Sequence, residues 1–67
     1  MEIKIELLKL KKRQVDLIAE LQKLGHKVTP ADLSSYLSGA LKTPKAEAVI
    51  EDSERIIEKW KEEEQQE

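Results

Sequence analysis

Two threonine–proline pairs, Thr29-Pro30 and Thr43-Pro44, with Gly39 between them, restrict this chain more tightly than any other feature. Proline fixes φ and lacks an N–H, so it suits the first turn of a helix and breaks one anywhere later. A threonine just before it can accept a hydrogen bond from the unpaired N–H groups of that turn. Each pair therefore marks a helix start, and Gly39 supplies the left-handed backbone that ends the helix between them. Asp32 lies where its charge complements the helix dipole. The spacing predicts a helix from Thr29 to Leu37 and then a tight turn flanked by Lys42 and Lys45. Leu33, Leu37 and either Ala40 or Leu41 recur at helical intervals, whereas Ser34, Ser35 and Ser38 leave the outer surface small and hydroxylated. Such a face can lie close against another surface.

The flanking segments also carry helical periodicity. Within residues 2–11, Ile3, Leu7 and Leu10 form one stripe with Ile5 and Leu8 beside it, which predicts a broad buried face. Lys11, Lys12 and Arg13 interrupt the pattern without Gly or Pro, so a tight turn and a continuous helix are both open there. From Gln14 the stripe resumes with Leu17, Ile18, Leu21 and Leu24, and Lys23 with Gly25 predicts a helix end near Leu24. Gly25 to Val28 then forms a turn in which His26 is a polar loop residue. After Pro44, the residues Ala46, Val49, Ile50, Ser53, Ile56, Ile57 and Trp60 lie opposite Glu47, Glu51, Glu54, Glu58 and Lys61. This predicts a last helix lying over the core as a lid. The final KEEEQQE has no apolar anchor, so residues 1–61 are expected to form the domain and 62–67 an acidic, disordered tail. With no strand pattern, the expected fold is all-α, a compact domain of four helices.

At 67 residues the chain has room for one small core and no deep cleft, which argues against an enzyme and for a function carried on the surface. No cysteine and a single histidine leave no ligand set for zinc, and no cofactor or small-molecule site is evident. No catalytic constellation accompanies His26. No apolar run is long enough for a signal peptide or a membrane span, so a cytoplasmic protein without a membrane partner is expected. Tyr36 and Trp60 are the only aromatic residues, too few to stack single-stranded bases, and they are assigned to the core or an interface. Ile57 and Trp60 extend the last stripe beyond what so small a core covers, marking an expected homodimer contact. The formal net charge of -2 conceals two unlike halves. Residues 1–45 carry nine Lys/Arg against five acids, or +4, and residues 46–67 carry three against nine, or -6. A basic body with an acidic end suits a phosphate-facing surface on one side and a solvated or partner-facing surface on the other.

Two central helices joined by a glycine-containing turn, the second small-faced and beside basic turns, form the pattern of a helix-turn-helix. The segments RQVDLIAELQKLG, VTPADLSSYLSG and TPKAEAVIEDSERIIEKW resemble the small phage and prophage regulators of the lambda-repressor-like (Cro/cI, Xre) helix-turn-helix superfamily. The resemblance runs from Arg13 to Trp60 and rests mainly on packing positions. It implies a repressor-type transcription regulator that binds double-stranded DNA with the helix from Thr29 to Leu37 in the major groove. It further implies base-reading positions at Pro30, Ala31, Ser34 and Ser35. Phosphate contacts are expected at Gln14, Lys27, Thr29, Lys42, Thr43 and Lys45, with specificity gained through a homodimer or a second regulatory protein.

This chain departs from that pattern in two places. The turn from Lys23 to Lys27 is longer than the compact family turn, and none of Pro30, Ala31, Ser34 and Ser35 has the bidentate reach of Arg, Asn or Gln. Shape readout or a neighbouring subunit would then carry more of the specificity. A second register, with 29–38 as the first motif helix and the helix after Pro44 as the reader, would turn Glu47, Glu51 and Asp52 toward phosphates, and charge argues against it. The alternative function is a small helical protein-interaction module, such as a phage anti-repressor or inhibitor, which the acidic 47–67 surface favours.

Overall fold

The computed structural model describes residues 2–40 and 42–65 and contains four helices, α1 (Ile3–Lys9), α2 (Gln14–Lys23), α3 (Pro30–Ser38) and α4 (Pro44–Gln65), with no strand among the described residues. No helix is long and apolar enough to cross a membrane among those residues.

Each start and stop has a local cause. Thr29 Oγ1 accepts from the Asp32 N–H (3.1 Å), and the Asp32 carboxylate accepts in return from the Thr29 N–H (3.3 Å), so two orphan donors of α3 are satisfied reciprocally. At the start of α4, Thr43 Oγ1 accepts from the Ala46 N–H (3.1 Å). At α2 the Asp16 carboxylate alone closes the turn, accepting from the Arg13 N–H (2.9 Å). The ends of α1, α2 and α3 share one hydrogen-bond pattern. Lys12 N–H reaches Leu7 O, His26 N–H reaches Leu21 O, and Ala40 N–H reaches Ser35 O, each five residues back. This pattern needs one left-handed residue just beyond the helix. Gly25 (φ 95°) and Gly39 (φ 81°) fill that place in two cases, and Lys11 (φ 57°) fills it in the third. The first two helices are thus separate, divided by a turn that a lysine makes where glycine is the usual choice.

The last helix is the centre of the molecule rather than its lid. α4 packs against α1, α2 and α3 alike, and its 22 residues, about 33 Å long, set the long axis of a 37 × 22 × 17 Å body. Its seam is Ala46, Val49, Ser53 and Ile57, all buried against Leu17, Ile18 and Leu21 of α2, Leu33 and Tyr36 of α3, Ile3 and Leu7 of α1, and Val28 of the α2–α3 turn. Ser53 is the one buried polar side chain among the described residues, and its hydroxyl donates to Val49 O at 2.7 Å. A small residue at that seam lets α4 lie close to its neighbours, and the bond back to the preceding turn removes the penalty of a buried hydroxyl.

Several expectations from periodicity fail at the periphery. Ile5 and Leu8, expected in a broad buried face, are 51% and 81% exposed. α1 has only seven residues and packs chiefly on α4, so it buries one narrow stripe of Ile3, Leu7 and part of Leu10. Leu24 is 59% exposed because it sits beyond the end of α2, where no element covers it. Ala40 is exposed after the end of α3 and does not extend the inward stripe, while Leu41 lies outside the described residues. Ile57 is fully buried, so it is a core residue and has no surface to offer a second subunit; the stripe it extends is consumed by the three helices around α4. Finally, α4 continues through residues 62–65, where an unstructured tail is expected; no Gly or Pro interrupts the run, and Glu, Lys and Gln are good helix formers. Residues 66 and 67 of that tail lie outside the described residues.

An ion pair fastens α1 to α4. Lys61 Nζ lies 2.8 Å from Glu6 Oε2. The hydrogen bond from Lys61 lowers the Glu6 pKa below its ordinary value of 4.5, and the same bond raises that of Lys61 above 10.5. A lowered carboxylate stabilises the fold above its unfolded value and ceases to do so as pH falls through the folded value; a raised lysine stabilises below its unfolded value and ceases to as pH rises through the folded one. The stability difference between the parent chain and Glu6→Gln is therefore expected to be present between about pH 4.5 and pH 10.5 and to shrink on both sides. Melting temperatures across pH measure it, and a difference independent of pH would remove the ion pair from the account.

Candidate nucleic-acid interface

The outward face of α3 begins at Pro30 and Ala31 and continues through Ser34, all three exposed, while Ser35 is half-buried beside them. On the inner side Leu33 is fully buried, Tyr36 is buried and Leu37 packs against the core edge, so α3 is held by one side and free on the other. The free side offers a proline ring, a methyl group and the Ser34 hydroxyl. Ser38, by contrast, has its hydroxyl committed to Ser35 O at 3.0 Å. A surface of this kind approaches a partner closely, contacts methyl groups and donates or accepts single hydrogen bonds; it cannot form a bidentate pair.

The cations around it come from two turns. Lys27 precedes the α3 cap, and Lys42 and Lys45 bracket the Thr43 cap of α4; all three are exposed. Lys45 Nζ donates to Lys27 O at 3.3 Å, which brings the α2–α3 turn and the start of α4 together. Both cap threonines are exposed, and each accepts from a backbone N–H, which leaves its own hydroxyl hydrogen available to an incoming oxygen. The Asp32 carboxylate at the same helix start is turned back onto the Thr29 N–H. The structure therefore assembles Lys27, Thr29, Thr43 and Lys45, with Lys42 adjacent in sequence, next to the start of the α3 face. Gln14 stands apart from this group at the first position of α2, half-buried, and its amide makes no hydrogen bond among the described residues.

No protein-family model, curated protein or solved structure matches the chain. What this surface can do rests on its own geometry.

The other expected contact surface is changed in its membership. Trp60 is half-buried and packs on the core, with the Lys12 ammonium 5.1 Å from its ring centroid. With Ile57 internal, the apolar floor at this end of the molecule consists of Trp60, Ile56 and the exposed Leu24, within an open groove of about 370 Å³ rimmed by charges of both signs, among them Arg55, Lys59 and Glu63.

Sequence reasoning missed the tie between the α2–α3 turn and α4. His26 Nε2 lies 2.6 Å from Asp52 Oδ2, with the two side chains 19% and 22% exposed, and Asp52 Oδ1 also accepts from Arg55 Nη1 at 3.2 Å. His26 is thus more than a polar loop residue. The signal was Asp52 itself, an acid at the edge of the apolar stripe between Val49 and Ile56, where a carboxylate needs a partner. Because Lys27 follows His26 directly, this pair also sets where the first cation of the patch sits. A double-mutant cycle with His26→Ala and Asp52→Ala in urea denaturation should give a coupling on the order of 1 kcal/mol; additive losses would mean that the contact does not hold the turn.

Proposed function

We propose that this protein is a DNA-binding transcription regulator of the helix-turn-helix type, with α2 and α3 as the motif and α3 entering the major groove. The observation that carries the reading is the free face of α3, small and uncharged, set beside two cap threonines and three exposed lysines from the adjoining turns. Phosphate contacts position a protein on the duplex and base contacts specify a site, and groups of both kinds border the free side of α3. Pro30, Ala31, Ser34 and Ser35 would face the bases; Lys27, Thr29, Lys42, Thr43 and Lys45 would face phosphates, with Gln14 at the start of α2. Reading by α4 is disfavoured, because α4 is enclosed by the other three helices and its exposed residues include Glu47, Glu51 and Glu58.

Because each bidentate pair missing from α3 forgoes about 1–3 kcal/mol of base discrimination, a lone subunit would discriminate poorly. A second subunit or a second regulatory protein supplies the difference, and the groove floored by Leu24, Ile56 and Trp60 is the place for it. That groove also supports the second reading, a helical module of the anti-repressor kind whose only partner is another protein. A cytoplasmic regulator carried by a phage or mobile element fits the first reading, and that origin rests on the sequence resemblance alone.

Titration against random-sequence duplex DNA at several salt concentrations separates the two readings. Binding that weakens steeply with salt is expected, and Lys27→Ala, Lys42→Ala and Lys45→Ala should each flatten the log–log slope by about 0.9. A chain with no salt-dependent affinity for duplex DNA would leave the protein-interaction reading in its place.

A further inference from the structure

The turn between α1 and α2 contains a residue whose conformation and chemistry disagree. Lys11 (φ 57°) is the one non-glycine residue with positive φ among those described, and it occupies the helix-end position that Gly25 and Gly39 fill in the same motif elsewhere in the chain. Left-handed backbone is unfavourable for any residue with a Cβ, and two glycines show that the unstrained solution is in use in this same molecule. The Lys11 side chain returns nothing to the fold: it is exposed and makes no hydrogen bond, ion pair or ring contact among the described residues. Lys12 is engaged over the Trp60 ring, whereas the Arg13 guanidinium, like the Lys11 ammonium, makes no ion pair among the described residues; the Asp16 carboxylate accepts from the Arg13 backbone N–H. Of these two unpaired cations, Lys11 is the one held on left-handed backbone.

Resting on the DNA-binding reading above, we infer that Lys11 is a further phosphate ligand, at the opposite end of α2 from the Lys27 and Lys45 patch. α2 has ten residues, a length of about 15 Å, and the major groove is about 12 Å wide. Cations at the two ends of such a helix can reach phosphates on the two walls of one groove. The strain at Lys11 is then retained because glycine, which would relieve it, carries no charge.

Stability and binding are expected to move in opposite directions, which a merely structural residue would not produce. Lys11→Gly should raise the melting temperature, yet flatten the salt slope by about 0.9 and weaken duplex binding at 0.1 M salt by up to about eightfold. Lys11→Gln, which keeps the strained backbone and loses the charge, should show the same binding loss without the thermal gain. Lys11→Arg should keep the parent slope. If the parent chain shows a salt-dependent affinity and both neutral variants share its slope, Lys11 does not touch phosphate, and the inference falls while the reading of α3 stands. If the parent chain shows no such affinity, both fall together.

Discussion

Everything in this molecule depends on how closely the other helices can approach α4. Val49, Ser53 and Ile57 are fully buried along one line of that helix, and α1, α2 and α3 each pack on it. A larger residue at 53 would push the neighbours apart, and a hydroxyl without the Val49 carbonyl would carry an unmet hydrogen bond into the core. With this seam closed, Leu33 and Tyr36 dock one side of α3 and its other side has nowhere to go but outward. The exposed face of α3 is thus a by-product of core packing: three short helices satisfy their apolar stripes on one long helix, and what they leave over is the surface.

The surface left over carries both signs along α4. At its N-terminal end stand Lys27, Lys42, Lys45 and the two cap threonines, with Glu47 in the first turn of the helix; at its C-terminal end Glu62, Glu63 and Glu64 stand among Lys12, Lys59 and Lys61, beside the Trp60 groove. A net charge of -2 does not of itself oppose phosphate binding, because a phosphate would meet the local group of Lys27, Lys42 and Lys45 while salt screens the more distant charges. Since α3 can make only single hydrogen bonds and methyl contacts, most of the binding free energy would come from the cations, and selectivity from DNA shape and from a second subunit.

The elements were legible in the sequence because their punctuation is local. Thr29-Pro30, Thr43-Pro44, Gly25 and Gly39 act through bonds within a few residues, and the structure uses each of them as expected. The exposed α3 face was legible for the same reason, since its inward partners Leu33 and Leu37 declare its orientation. What periodicity could not supply was how many neighbours each helix would have. One neighbour leaves Ile5 and Leu8 of α1 in solvent, while three neighbours draw Ile57 of α4 wholly inside. Tertiary pairs between distant residues, His26 with Asp52, Glu6 with Lys61 and Lys12 with Trp60, have no sequence signature beyond a charged or polar group at the edge of an apolar stripe. The turn at Lys11 stayed open against a continuous helix because a lysine there does the work of a glycine.

The most direct test of the central claim is to follow the backbone amides of the ¹⁵N-labelled chain by NMR as duplex DNA is added at low salt. The largest shift changes are expected in residues 27–38 and 42–45, with residues 55–63 of α4 little affected. Changes confined to 55–63, or none anywhere at saturating duplex, would contradict the assignment of α3 as the DNA-facing helix.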